Sequence, residues 1–141
     1  LLFLTFKIGE EQTKMIKVEI SYGELFDKIS ILEIKKSKLN NPDEIVKVKY
    51  ELDLLLQELK NSKINSSIIS SLTKNLKEIN LKLWNIEDKI REKERDKKFD
   101  EDFIKLARNV YITNDKRAKI KSEINHKLNS KVFEIKSYKK Y

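Results

Sequence analysis

Glycine and proline are nearly missing from this chain. Gly9, Gly23 and Pro42 are its only glycines and its only proline among 141 residues. Glycine gives the backbone its left-handed turns, and proline stops a helix. A chain with so few of either is constrained to long helices with short breaks between them. Its length is that of one domain, enough to hide roughly 68–70% of its unfolded surface in a core.

The apolar spacing fills in this outline. Ser21-Tyr22-Gly23-Glu24 has the form of a capping box, in which the serine hydroxyl accepts from the Glu24 N–H and the glutamate reaches back. A first helix follows over about 22–39, with Leu25, Ile29 and Leu32 as its seam and Phe26 widening it. "NNPDE" restarts the chain: Asn41 caps, Pro42 takes the first helical position, and Asp43 and Glu44 face the positive end of the helix dipole. A second helix over about 42–60 carries Ile45, Val48, Leu52, Leu55 and Leu59 at alternating steps of three and four. Ser66 or Ser67 caps a third, with Leu72, Leu76, Ile79, Leu83, Ile86 and Ile90 in its seam, running through "REKERDKK" to about Lys98. Asp100 caps a fourth, starting near Glu101, whose seam runs Phe103, Leu106, Val110, Thr113, Arg117, Ile120, Ile124 and Leu128. Thr113 and Arg117 are polar members of an otherwise apolar row, and the row resumes in phase after them. Residues 107–121 are therefore expected as unbroken helix rather than a turn.

Two short stretches alternate instead. Ile16, Val18 and Ile20 oppose Lys17 and Glu19, and Phe133 and Ile135 oppose Val132, Glu134 and Lys136. Each is a strand signal, and the two are expected to meet as a minor two-stranded terminal ribbon. The fold expected is all-α: an antiparallel up-down bundle of four helices, the last two longer than the first two, forming a single domain over 15–141. The preceding "LLFLTFKIGEEQTK" has too short an apolar run for a membrane span, and it lacks a basic leader and a small-residue cleavage site. It is expected to be an upstream extension, with Met15 as the native start, of a cytoplasmic protein.

Composition narrows the chemistry. Without cysteine there is neither a thiolate metal site nor a cysteine nucleophile, and a single histidine, His126, cannot build a multi-histidine site. His126 lies in a lysine- and asparagine-rich helix end and is expected on the surface. No metal and no cofactor are expected. The net charge of +8 invites nucleic acid, yet only Arg91, Arg95, Arg108 and Arg117 are arginines, and the lysines are interleaved with acids. No arginine stripe with stacking aromatics is present, so nucleic acid is not the expected partner.

Read from Met15, the segments "IKVEISYGELFDKISILEIK", "LWNIEDKIR", "FIKLARNVYITNDKRAKIKSEIN" and "EIKSY" resemble a bacterial family catalogued as domain of unknown function 6165. The resemblance covers about 15–138 with segment order retained. It implies a small helical bacterial protein without an assigned activity, in the gene setting of glycosyltransferases and surface polysaccharides.

Polar residues at helical spacing form the candidate site. Arg108, Tyr111 and Asp115 share one face of the fourth helix, and Asn114 and Arg117 share the adjacent one, on which Lys121 also lies. In the third helix Trp84, Asp88 and Arg91 align, and Glu87 can pair with Arg91. In the first, Asp27 and Lys28 follow Gly23 near the capped start. Counting outward from the turn near Phe99, Trp84, Glu87, Asp88 and Arg91 are expected close to Arg108, Tyr111, Asn114 and Asp115. Three uses fit these eleven residues. They can form a paired structural network. They can form an anion pocket in which Arg108 and Arg117 grip phosphate or carboxylate beside Trp84 or Tyr111. They can form a catalytic site with Asp88 or Asp115 as general base. Gly23 at a helix start could also admit a phosphate, although one glycine is far from a glycine-rich loop. The paired network is the reading favoured. The function expected is a non-catalytic binding or scaffold module acting with cell-envelope glycan enzymes, as a homodimer and with a protein partner or an anionic small ligand. The alternative is a small all-helical enzyme acting on an anionic metabolite at an Arg/Asp-lined pocket.

Overall fold

The computed structural model of the chain describes residues 15–141. The upstream extension expected over 1–14 lies outside the described residues. Helices α1 (Tyr22–Lys38), α2 (Pro42–Asn61), α3 (Ser70–Arg95) and α4 (Glu101–Lys127) account for the fold, with one 3-10 turn, Ser66–Ile69, leading into α3. No β-strand occurs among the described residues. With 26 and 27 residues, α3 and α4 each extend about 40 Å, against about 26 Å for the 17 residues of α1.

The helix starts follow their caps. The Ser21 hydroxyl accepts from Glu24 N–H at 3.1 Å, the Asn41 side chain from Asp43 N–H at 2.9 Å, and the Asp100 carboxylate from Phe103 N–H at 3.0 Å. The cap expected at Ser66 or Ser67 is instead Asn65, whose side-chain oxygen accepts from Ser67 N–H at 3.2 Å and opens the 3-10 turn.

The helix ends show how a chain poor in glycine stops. Lys63, Lys97 and Asn129 take left-handed φ values of 54, 54 and 52°. After α3, Lys98 N–H donates to the Lys93 carbonyl at 3.0 Å and Lys97 N–H to the Glu94 carbonyl at 3.1 Å, the paired bonds of a Schellman stop. Asn129 and Ser130 repeat it after α4, with Ser130 N–H on the Asn125 carbonyl at 2.8 Å. Hence α3 ends at Arg95 and not near Lys98. A lysine fills a position that usually announces itself as glycine.

Helix α1 is the hub. It packs against α2, α3 and α4, while α2 packs against α1 and not along α3 or α4. One apolar cluster joins Leu25, Ile29 and Leu32 of α1 to Val48 and Leu52 of α2. A second joins Phe26 to Ile69, Leu72, Leu76 and Ile124, with Leu59 of α2 against its margin. Along α1 and α4, Gly23 meets Asn125, Glu24 meets Lys121, and Asp27 meets Arg117, so numbers rising on α1 fall on α4.

The ribbon expected at the two ends has no counterpart among the described residues: 15–20 and 131–141 carry no strand pairing. The apolar residues of each alternation stay largely in solvent, apart from the contact of Phe133 with His126. Ile16 and Ile135 are 93% and 88% exposed. An isolated pair of strands is marginal in water without burial of its apolar face.

Candidate functional site

The centre of the molecule is a buried carboxylate. Asp27 is 1% exposed and sits one turn into α1, between α3 and α4. Charge in such a place must be paired and hydrogen-bonded. Arg117 of α4 supplies a two-pronged partner: Nε donates to Oδ1 at 2.9 Å, and Nη2 donates to Oδ2. Asn80 of α3 donates from Nδ2 to the same Oδ1 at 2.8 Å and to the Ser30 hydroxyl at 2.9 Å. Lys121 Nζ lies 3.7 Å from Oδ2. Three helices therefore converge on one side chain.

Burial opposes the charge of Asp27. The Arg117 and Asn80 hydrogen bonds and the Arg117 and Lys121 charges outweigh it and hold the carboxyl below its usual range. Arg117 is shifted up by its bonds to Asp27, against its own partial burial. Lys121 is penalised by burial too, but donates to Glu24 Oε2 at 2.7 Å and to Glu134 Oε2 at 3.0 Å, and its ammonium is held charged to higher pH than usual.

A backbone joint flanks this charge cluster. Gly23 N–H donates to Asn125 Oδ1 at 2.6 Å. A Cβ built on Gly23 would stand 2.9 Å from Asn125 Oδ1 and would overlap the Lys121 carbonyl oxygen. Tyr22 N–H donates to the Ser130 hydroxyl at 3.4 Å. The free N–H groups at the start of α1 are thus taken by Ser130, Asn125 and Ser21. The phosphate-sized opening imagined at Gly23 is occupied by α4 itself. Ser21 still caps the helix, but the Glu24 carboxylate turns to Lys121.

Ten of the eleven candidate residues separate into three groups, and Lys28 stands apart from them. Asp27 and Arg117 form the buried pair, and Arg117 Nη1 donates to Asn114 Oδ1 at 3.4 Å. Trp84, Glu87, Asp88 and Arg91 of α3 face Asn114 and Arg117 across a cleft of about 440 Å³ that Asn80 also lines. Arg108, Tyr111 and Asp115 do not join them. All three are exposed, Arg108 donating to the Tyr111 hydroxyl at 3.4 Å and Asp115 accepting from the Tyr141 hydroxyl at 3.1 Å. Helical phase is the reason. Thr113, Lys121, Ile124 and Asn125 mark the buried face of α4, Asn114 and Arg117 border it, and positions 108, 111 and 115 turn outward. Lys28 is exposed and lines neither group.

The cleft beside Trp84 is not cationic. Arg117 is neutralised by Asp27, and Arg91 is paired with Glu87 one turn away. Asp88 has no ion-pair partner among the described residues. Among the described residues, no buried side-chain nitrogen or oxygen lacks a partner, and no group of three or more His, Cys, Asp or Glu is placed to hold a metal. None of the described helices is long and apolar enough to cross a membrane.

Ser30, Asn80, Asn125 and Glu134 were not among the candidates, and Lys121 was noted only as sharing a face with Arg117. All of these but Glu134 carried a signal. Asn80 follows Leu76 by four and precedes Leu83 by three, a seam position that the sequence reading gave to Ile79. Gly23, Asp27 and Ser30 repeat the same spacing on α1, as a polar row opposite the apolar one. Lys121 and Asn125 continue Arg117 at steps of four.

The chain matches the family of unknown function DUF6165 over residues 16–141 and belongs to it. No curated protein and no solved structure matches the chain.

Proposed function

We propose that this DUF6165 member is a non-catalytic binding or scaffold module, built as an up-down antiparallel bundle whose polar centre is a structural clasp. The observation that supports this most directly is the complete pairing of Asp27. A general base needs a free lone pair aimed at substrate, and both Asp27 oxygens are engaged by Arg117 and Asn80. Arg117, the residue best suited to grip an anion, already has its fork on Asp27. Its placement in bacterial cell-envelope glycan synthesis is what the family resemblance supports. The competing reading keeps Asp88 as a base and Arg91 as an anchor in the cleft beside Trp84, an enzyme acting on an anionic metabolite.

A thermal-shift screen with carboxylates and sugar phosphates separates the two. For a scaffold, wild type, Asp88→Asn and Arg91→Ala show the same response to every compound. A rise in melting temperature seen in wild type and lost in either variant would restore the enzyme, because a ligand held only by the native state must stabilise it.

The module is proposed to act as a homodimer. Val46, Tyr50 and Leu54 on the outer side of α2 are 66, 59 and 39% exposed, and Phe99 and Ile104 at the α3–α4 turn are 56 and 55% exposed. Apolar surface of this kind on long helices suits burial against a second copy. Light scattering at micromolar concentration is expected to give twice the chain mass, and a single monomeric species would end the dimer proposal.

A further inference from the structure

The tail after α4 returns along that helix and is tied to it at two points. Glu134 accepts from Lys121 at 3.0 Å, and the Tyr141 hydroxyl donates to Asp115 at 3.1 Å while its ring meets Tyr111 edge-on, centroids 5.1 Å apart. Seven residue steps separate the tail anchors, a reach of about 23 Å when extended. The helix anchors Lys121 and Asp115 are only about 9 Å apart along the axis. The tail is long enough to arch over α4, and a cleft of about 1070 Å³ lies between the two.

The lining of this cleft is unlike the one beside Trp84. Its floor on α4 is Val110, Ala118 and the Tyr111 ring, with Asn114 and Asp115 at its edge. Its roof is Lys136, Tyr138, Lys139, Lys140 and Tyr141. Three lysines and one acidic side chain line it, and Asp115 already accepts from Tyr141. Tyr138 is 82% exposed, which leaves its ring open for stacking, while the Tyr141 ring meets Tyr111. Aromatic faces stack on planar rings, and clustered lysines attract phosphate.

We propose that this arch is a binding site for a phosphorylated planar-ring compound of nucleoside diphosphate size. The ring lies against Tyr111 and Tyr138 over the apolar floor, and the phosphates meet Lys136, Lys139 and Lys140. The volume suits such a ligand, since small-molecule sites occupy roughly 300–1,000 Å³. The site adjoins the Asp27 clasp through Asn114 and Lys121, but neither reading requires the other.

Calorimetric titration of the full chain with ADP, UDP, adenosine and inorganic pyrophosphate tests it. Both diphosphates are expected to bind with a Kd below about 1 mM. Adenosine and pyrophosphate are each expected to bind at least about tenfold more weakly, because each offers only one of the two recognised features. The double substitution Lys139→Glu, Lys140→Glu lies on the exposed tail, where folding is not at risk. It is expected to weaken ADP and UDP by at least about tenfold, and Tyr138→Ala to weaken them without changing pyrophosphate. No heat from either diphosphate at millimolar concentration would overturn the proposal. So would binding that is unchanged in the lysine variant, or pyrophosphate binding as tightly as ADP.

Discussion

Gly23→Ala is expected to lower the melting temperature by on the order of 10 °C, as measured by calorimetry. Helix propensity alone points the other way, since alanine inside a helix is better than glycine by about 1 kcal/mol. The new methyl group, however, has nowhere to go. It would overlap the carbonyl oxygen of Lys121, which is backbone and cannot rotate aside, and would crowd the Asn125 oxygen that accepts from Gly23 N–H. Relief requires α4 to move away from α1, which stretches the Glu24–Lys121 and Asp27–Arg117 ion pairs together. Overpacking of this kind costs roughly 1–3 kcal/mol, and the strained pairs add to it. A variant as stable as wild type would show that α1 and α4 do not approach as described.

Replacing Asp27 with asparagine is expected to cost about 2–4 kcal/mol at neutral pH, read from the urea midpoint. The figure sits below the upper range for broken buried pairs because the Arg117 side chain keeps 27% of its surface exposed and can turn part of its charge toward water. The pH dependence follows from the lowered pKa of Asp27. A carboxyl held below its unfolded value contributes its full stability above about pH 4 and loses it as the pH falls through the folded value. Wild type should therefore lose stability on acidification more steeply than Asp27→Asn, and the two should converge at low pH. Parallel acid profiles would mean that Asp27 titrates as though unpaired.

Much of this architecture was legible from local chemistry. The caps at Ser21, Asn41 and Asp100 use the residue types whose short side chains reach a helix N–H, and each placed its helix start correctly. The stop at Lys97 was not legible, because left-handed backbone is normally carried by glycine and nothing in a lysine run marks it. The terminal alternations read as strands because period two is a strand signal, yet a strand forms only against a partner, and sequence spacing does not supply one.

The polar centre was legible in part. Asp27, Asn114 and Arg117 stood out as polar residues at helical spacing, but Asn80, the other hydrogen-bond partner of Asp27, was hidden by a choice between adjacent positions. Ile79 and Asn80 differ by one residue, or about 100° around the helix, and the apolar one was the natural choice for a seam. The same sensitivity to phase placed Arg108, Tyr111 and Asp115 in the cleft, when they turn out toward the tail.

The clasp at Asp27 is tested most directly by a double-mutant cycle with Asp27→Leu and Arg117→Met, each variant measured by urea unfolding. If the pair holds α1 to α4, each single substitution strands one buried partner and is costly. The double variant, with both charges replaced by apolar groups of similar size, is expected to be more stable than the sum of the two losses implies, by at least about 2 kcal/mol. Losses that add to within about 0.5 kcal/mol, or single variants as stable as wild type, would contradict a structural role for the pair.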